Sequence, residues 1–185
     1  MIIKEAIQVG NPIIRVKSTP VANPKLKVFQ RVITDLIDSM HHHGLVGMAA
    51  PQIGKSVRIF VTEINETKLR KGMSLNEIDA LRVFINPKIT SSSRIQKKGW
   101  EGCGSVASAN LFGMVKRPAS LEIEAFDENG KPFYLKAKGL LARVIQHEMD
   151  HLNGVIFADK ADTKTYMSKN EYLKLRSKTG KKVPT

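Results

Sequence analysis

The sequence predicts an α+β fold, and three observations carry that prediction. Two segments place apolar residues at helical spacing, over 24–43 and 138–152. Several short strand-like segments lie between them, separated by turn residues. The second helical segment also contains Gln146-His147-Glu148-Met149-Asp150-His151-Leu152-Asn153-Gly154, whose chemistry has to be housed by the strands around it. Helices that bracket a run of strands, without regular β-α alternation, belong to this class.

The first helix is read over 24–43 from Leu26, Phe29, Ile33, Leu36, Ile37 and Met40. Pro24 suits its start, with Asn23 as N-cap, and Gly44 suits its stop. His41, His42 and His43 fill the last turn. Partly positive side chains are favoured there and consecutive residues point apart, so a solvated helix end fits them better than a metal site. A loop follows over 45–54. Strand-like segments are read at 57–62 and 82–86, with Asn86-Pro87 breaking the second. The charged stretch 63–80 between them reads as a surface excursion.

Residues 91–99 alternate weakly and suggest a hairpin arm. Cys103 then sits in a glycine-flanked loop within 100–109. Strands are expected at 112–116, 120–127 and 132–137, the last two joined by the turn Asp127-Glu128-Asn129-Gly130. The second helix runs from about Lys138 to Leu152 and stops at Asn153-Gly154. After Asp159 the chain is lysine-rich, with helix expected over 168–176. No repeat or linker is visible, which gives one catalytic domain over 1–168 and a basic tail over 169–185.

At 185 residues the chain can bury roughly 70% of its unfolded surface. No run of eighteen apolar residues suggests a membrane span, and Met1 to Ala6 lack the features of a secretory signal. The single cysteine excludes an internal disulfide, which fits a reducing, cytoplasmic setting. The net charge of +13 suits a neighbourhood of polyanions such as RNA, or simply many solvated lysines. No interleaving of aromatic and basic residues suggests a platform for single strands, and neither DNA nor a membrane is expected as a partner.

An H-E-x-x-H run on a helix sets two imidazoles one turn apart on one face, so His147 and His151 can share one metal ion. Glu148 is then beside the metal, able to take a proton from a bound water. A catalytic site of this kind usually has a third protein ligand. A histidine six residues after His151 is excluded, because Phe157 is there. Glu171, twenty residues after His151 and preceded by Asn170, resembles the ligand of thermolysin-like zinc peptidases, but Leu175 occupies the place of the expected aspartate. Cys103 is the other candidate. A lone cysteine can be a small buried hydrophobe, yet flanking glycines let the backbone approach a bound group, and a thiolate favours a transition metal.

Three motifs in order resemble those of the peptide deformylases. Leu45-Val46-Gly47-Met48-Ala49-Ala50-Pro51-Gln52 is similar to the family's glycine-x-glycine-leucine-alanine-alanine-proline-glutamine loop. Glu101-Gly102-Cys103-Gly104-Ser105 is similar to glutamate-glycine-cysteine-leucine-serine, and Gln146 to Leu152 matches the third motif in full. Leu45, Met48 and Gly104 depart from the pattern. Arg143 replaces a usual aliphatic residue and looks more like the mitochondrial-type branch.

The resemblance implies antiparallel or mixed β-sheets packed around a central metal-binding helix. It implies hydrolytic removal of the formyl group from the N-terminal formyl-methionine of nascent polypeptides, releasing formate. Cys103, His147 and His151 would hold one ion, Fe(2+) in the cell with Zn(2+), Ni(2+) or Co(2+) as substitutes. Glu148 would be the general base, with Gln52 and the Gly104 N–H as donors to the tetrahedral oxygen. Val46, Gly47 and Gly102 would meet the substrate backbone. Leu140 and Val144, on the stripe of the two histidines, would line the methionine pocket or serve as core contacts. Arg143 would reach the groove rim or pair with a carboxylate such as Glu101. Location would be the cytoplasm or an organelle matrix with bacterial-type translation. The basic tail, with Lys169, Lys174, Arg176, Lys178, Lys181 and Lys182, would contact the ribosome or remain solvated. Three other readings stay open: a zinc endopeptidase using Glu171, a basic RNA-binding module with a structural metal, and a deformylase-like protein that has lost activity.

Overall fold

In the computed structural model, which describes residues 3–65 and 78–178, the strands form two antiparallel sheets. Helix α1 spans Lys27–His42, α2 Gly139–Leu152 and α3 Lys169–Lys178. The strands are β1 (Gly47–Ala49), β2 (Ile59–Ile64), β3 (Asp79–Ser92), β4 (Gln96–Gly102), β5 (Leu111–Pro118), β6 (Ser120–Phe126), β7 (Pro132–Lys138) and β8 (Asp162–Ser168). One sheet has the order β1-β2-β3-β6-β7, the other β4-β5-β8.

Alternation along β2 and β3 decides where the helices dock, since successive side chains leave opposite faces. Ile59, Val61, Val83 and Ile85 pack with Ile33, Leu36 and Met40 of α1. Phe60 and Phe84 face the other way, stacked at 4.5 Å between ring centroids, and pack with Ala142, Ile145, Met149 and Leu152 of α2. Helix α2 therefore covers the large sheet with one face and carries His147 and His151 on another.

Helix α1 starts at Lys27, later than expected, because a turn bonds the Leu26 N–H to the Asn23 carbonyl and Asn23 Oδ1 accepts from Lys25 N. The expected stops hold: Gly44 and Gly154 both take positive φ, 62° and 74°. The expected break at Asn86-Pro87 does not occur. Strand β3 runs on to Ser92, with a register shift between Ile85 and Lys88 in its pairing with β6. Asn86 absorbs the irregularity at φ 51°, a left-handed conformation asparagine tolerates better than most residues.

The hairpin arm expected over 91–99 is also corrected. Here β3 pairs with β6 and β4 with β5, so the chain crosses from one sheet to the other. It crosses back at Pro118–Ser120, and the two crossings are tied by Ser93 N to Ser120 O and Ala119 N to Ile95 O. Of the excursion expected over 63–80, residues 66–77 lie outside those described, and its ends belong to β2 and β3. Helix α3 docks through Tyr172, 4% exposed and stacked on Phe112, so the start of the basic tail joins the core. Lys181 and Lys182 lie outside the described residues. No helix among the described residues is long and apolar enough to cross a membrane.

Asn86 also bonds both backbone groups of buried Val21, accepting from its N–H at 2.7 Å and donating to its carbonyl at 2.8 Å. Asn86→Ala should lower unfolding stability by about 2 kcal/mol, because two backbone groups lose their partner. Urea denaturation checks this, and a change of only a few tenths would show that the pair carries no weight.

Candidate metal centre

Three elements meet at the cleft. The edge strand β1 brings Val46 and Gly47, the edge strand β4 leads through Gly102 into Cys103, and α2 crosses behind both. The ligand atoms of Cys103, His147 and His151 all lie within 4.8 Å of one another, and no other group of three or more such side chains occurs among the described residues. Cys103 Sγ is 3.1 Å from His151 Nε2. It also accepts hydrogen bonds from Ser105 N at 3.4 Å and from Gln52 Nε2 at 3.6 Å.

Burial pushes the Cys103 thiol up, but the charges and hydrogen bonds of His151 and His147 outweigh it and hold the thiol well below its ordinary value. For His147, burial lowers the pKa, while bonds to Cys103 and Glu101 raise it above the ordinary imidazole value. Without metal, therefore, the thiolate is balanced by a proton on His147, and a divalent cation competes with that proton for the same place. One thiolate and two imidazoles form a donor set for a transition metal. The residues fit the group that the sequence implied.

The ring of His147 is oriented from behind. Glu101 Oε2 lies 3.0 Å from His147 Nδ1, which leaves Nε2 for the cleft, the usual carboxylate–histidine–metal relay. Glu101 is itself gripped by Arg117 through Nε and Nη2, at 2.7 and 2.8 Å, while Arg117 Nη1 reaches Asp150 Oδ2 at 2.8 Å. Burial raises the Glu101 carboxyl, but Arg117 and His147 hold it well below the usual range. Sequence reasoning named Glu101 only as a partner for Arg143. Its role behind His147, and the roles of Arg117 and Asp150, were missed, because their meeting depends on which strands pair.

Glu148 is 3% exposed, and burial pushes its carboxyl up to about 7 against the lowering charges of His147 and His151. Its Oε2 has no hydrogen-bond partner among the described residues, which suits a group that handles water. Gly47 makes this position possible: a Cβ there would be 2.5 Å from Glu148 Oε1. Gln52 is fixed by Ala49 N donating to Oε1 at 2.8 Å, so its amide hydrogens point toward Cys103 and Ser105. Gly104 lines the same cleft, with its carbonyl taken by Gln8 Nε2 at 2.8 Å. Leu140 and Val144 pack with Val46 and Ile64 and also line the cleft. Arg143 lines the cleft from a buried position and bonds Glu101 Oε1. Glu171 is elsewhere, exposed on α3 and paired with Lys174.

A sequence model described as Polypeptide deformylase matches residues 3–166. The peptide deformylase of Psychrobacter cryohalolentis is 37% identical over 177 residues, which cover 94% of this chain and 89% of that protein. Among solved structures, a class I type b peptide deformylase from Acinetobacter baumannii superposes with a TM-score of 0.81 at 25% identity, covering 88% of this chain and 100% of that one. A peptide deformylase from Ehrlichia chaffeensis gives 0.76 at 30% identity, covering 98% and 97%.

If the thiolate is the third ligand, Cys103→Ser should abolish stoichiometric binding of cobalt or zinc, while Glu171→Ala should bind as the unaltered chain does. Metal content after gel filtration separates the two. Retention by the serine variant together with loss by the alanine variant would transfer the ligand role to α3.

Proposed function

The chain belongs to the peptide deformylase family, and on that premise we propose a role for each residue of the cleft. The protein is a metal-dependent hydrolase that removes the formyl group from the N-terminal formyl-methionine of new polypeptides and releases formate. The observation that carries this reading is the convergence of Cys103, His147 and His151 beside Glu148. Our reading of the ion is Fe(II), one per chain, with zinc, nickel or cobalt as substitutes. The sulfur and nitrogen donors support a transition ion over calcium or magnesium, and the choice of iron follows from the family resemblance.

Substrate enters between two sheet edges. Strand β1 pairs only with β2 and β4 only with β5, so each leaves one side open to an extended chain among the described residues. A peptide in the cleft can add to both edges, with Val46 and Gly47 on one side and Gly102 on the other. Leu140, Val144 and Val46 offer an apolar wall for the methionine side chain.

Cys103, His147 and His151 would hold a divalent ion, which when bound would supply Lewis acidity to lower the pKa of a water toward neutrality and polarise a carbonyl. Glu148 takes a proton from the attacking water, whose oxygen bonds to the formyl carbon, and returns that proton to the amine nitrogen as its bond to the same carbon breaks. Gln52 Nε2 and the Gly104 N–H donate to the oxygen that becomes negative as the formyl carbon turns tetrahedral. Because Gly104 acts through its backbone, the loss of a leucine side chain there leaves the donor in place.

The partner of this reaction is the nascent formyl-methionyl chain, made in the cytoplasm or in an organelle matrix with bacterial-type translation. We also assign α3 a ribosome contact: Lys174 and Lys178 are exposed, and the chain carries a net charge of +13. Replacing Lys174 and Lys178 by Glu should weaken salt-sensitive co-sedimentation with ribosomes; unchanged binding would remove α3 from that role.

Formate release from a formyl-Met peptide by the anaerobically iron-loaded protein tests the activity. Glu148→Gln should retain metal and lose on the order of 10²–10⁴ in rate. Gln52→Leu should lose about 10²–10³. Near-normal turnover by Glu148→Gln would take the proton-transfer role away from that residue.

A further inference from the structure

Arg143 precedes His147 by one turn of α2, and its side chain is 8% exposed. Its guanidinium is committed on three sides. Nη1 donates to Glu101 Oε1 at 2.7 Å and to the Val115 carbonyl at 3.0 Å, and Nη2 donates to the Lys97 carbonyl at 2.8 Å. Lys97 and Glu101 belong to β4, and Val115 belongs to β5. One side chain of the ligand helix therefore holds both strands of the hairpin from which Cys103 emerges.

The strand is shaped to receive it. A Cβ at Gly99 would be 2.7 Å from Arg143 Cζ and 2.8 Å from both Nε and Nη2. Gly99 is not among the residues with positive φ, so the need for glycine there is one of space. Glu101 Oε1 is shared between Arg117 Nε and Arg143 Nη1, which fixes the carboxylate so that Oε2 meets His147 Nδ1.

We propose that Arg143 is a positioning residue of the metal centre, seated on Gly99, which sets the distance between the strand that delivers Cys103 and the helix that delivers His147 and His151. This rests on the metal-centre reading given above. An aliphatic residue at 143 cannot make these bonds, and lysine can satisfy only part of the set, because a planar fork of donors is what spans a carboxylate and two carbonyls.

The test is cobalt binding by the full-length chain, followed through the thiolate-to-cobalt absorption band and by chelator competition, with thermal unfolding run in parallel. Arg143→Leu should weaken affinity about 10–100-fold and reduce the band, as expected when a ligand's supporting partner is lost. Arg143→Lys should recover part of the loss, and Gly99→Ala should shift affinity in the same direction by displacing the guanidinium. A purely structural role would lower the unfolding temperature and leave the cobalt affinity of the folded protein intact; that result overturns the proposal. So does an unchanged cobalt affinity with a raised KM for a formyl-Met peptide, which would assign Arg143 to the substrate groove. Should Arg143→Leu fail to fold, Gly99→Ala decides, and unaltered cobalt binding by that variant refutes the strut. Failure of the unaltered chain to bind cobalt would instead refute the metal centre itself.

Discussion

The structure turns on bringing a thiolate from a strand end within 3.1 Å of an imidazole that comes 48 residues later on a helix. Neither element can do this alone. Cys103 leaves β4, which belongs to the small sheet, while α2 is packed by its apolar face against the large one. The chain solves the problem by leaving the large sheet at 92–96 and returning to it at 118–120, so that the β4–β5 hairpin folds over the helix. Glycines then remove the obstacles at closest approach. Gly102 admits the Phe112 ring, whose nearest atoms would be 2.9 Å from a Cβ there, and Gly47 admits Glu148.

The interface so created is charged and, apart from Lys160, largely buried. Glu101 and Asp150 face Arg117, Arg143 and Lys160, with Glu101 and Arg117 nearly inaccessible. Burying such groups costs about as much as their attraction returns, so the network is a weak argument for stability. It is a stronger argument for geometry. A carboxylate held from two sides has one orientation, and that orientation fixes which nitrogen of His147 faces the cleft. Burial pulls the Arg117 pKa down, but Glu101 and Asp150 raise it above its ordinary value, so the positive charge is permanent. The rigidity comes from partner count: removing any one member would leave a buried charge short of a partner.

How much of this was legible depended on whether a feature was local. The apolar period of α1 and α2, the Gly44 and Gly154 stops and the Asp127–Gly130 turn were readable, because each is set within a few residues. The H-E-x-x-H spacing was readable for the same reason, and it supplied two ligands. The third required three motifs to be taken together, since nothing local distinguishes Cys103 from a buried hydrophobe. Asn86-Pro87 misled, because a proline normally ends pairing, whereas here a left-handed Asn86 turns the irregularity into a bulge. Strands β1 and β8 escaped notice because β1 is three residues long and Asp162–Ser168 is mostly polar. The pairing of Glu101 with Arg117 across the β4–β5 hairpin could not be inferred before the register was known.

The departures at Leu45 and Gly104 look independent in sequence but occupy one space. A Cβ at position 104 would be 3.3 Å from Leu45 Cδ1 and 3.4 Å from Ala6 Cβ, so a side chain added there would press on that of Leu45. Position 104 has ordinary φ, so its glycine answers to this crowding and not to the backbone. The apolar bulk that the family pattern places after the cysteine is therefore supplied from the opposite rim, by a side chain just ahead of β1. What the exchange preserves is the main chain at 104, which lines the cleft with its carbonyl anchored by Gln8. A substitution that moved that backbone would disturb the N–H proposed as donor to the reacting carbonyl, whereas one that relocates a side chain alters the wall of the cleft. The two changes belong to the second kind, which is why the metal ligands and Glu148 can remain as they are while the rim around them differs.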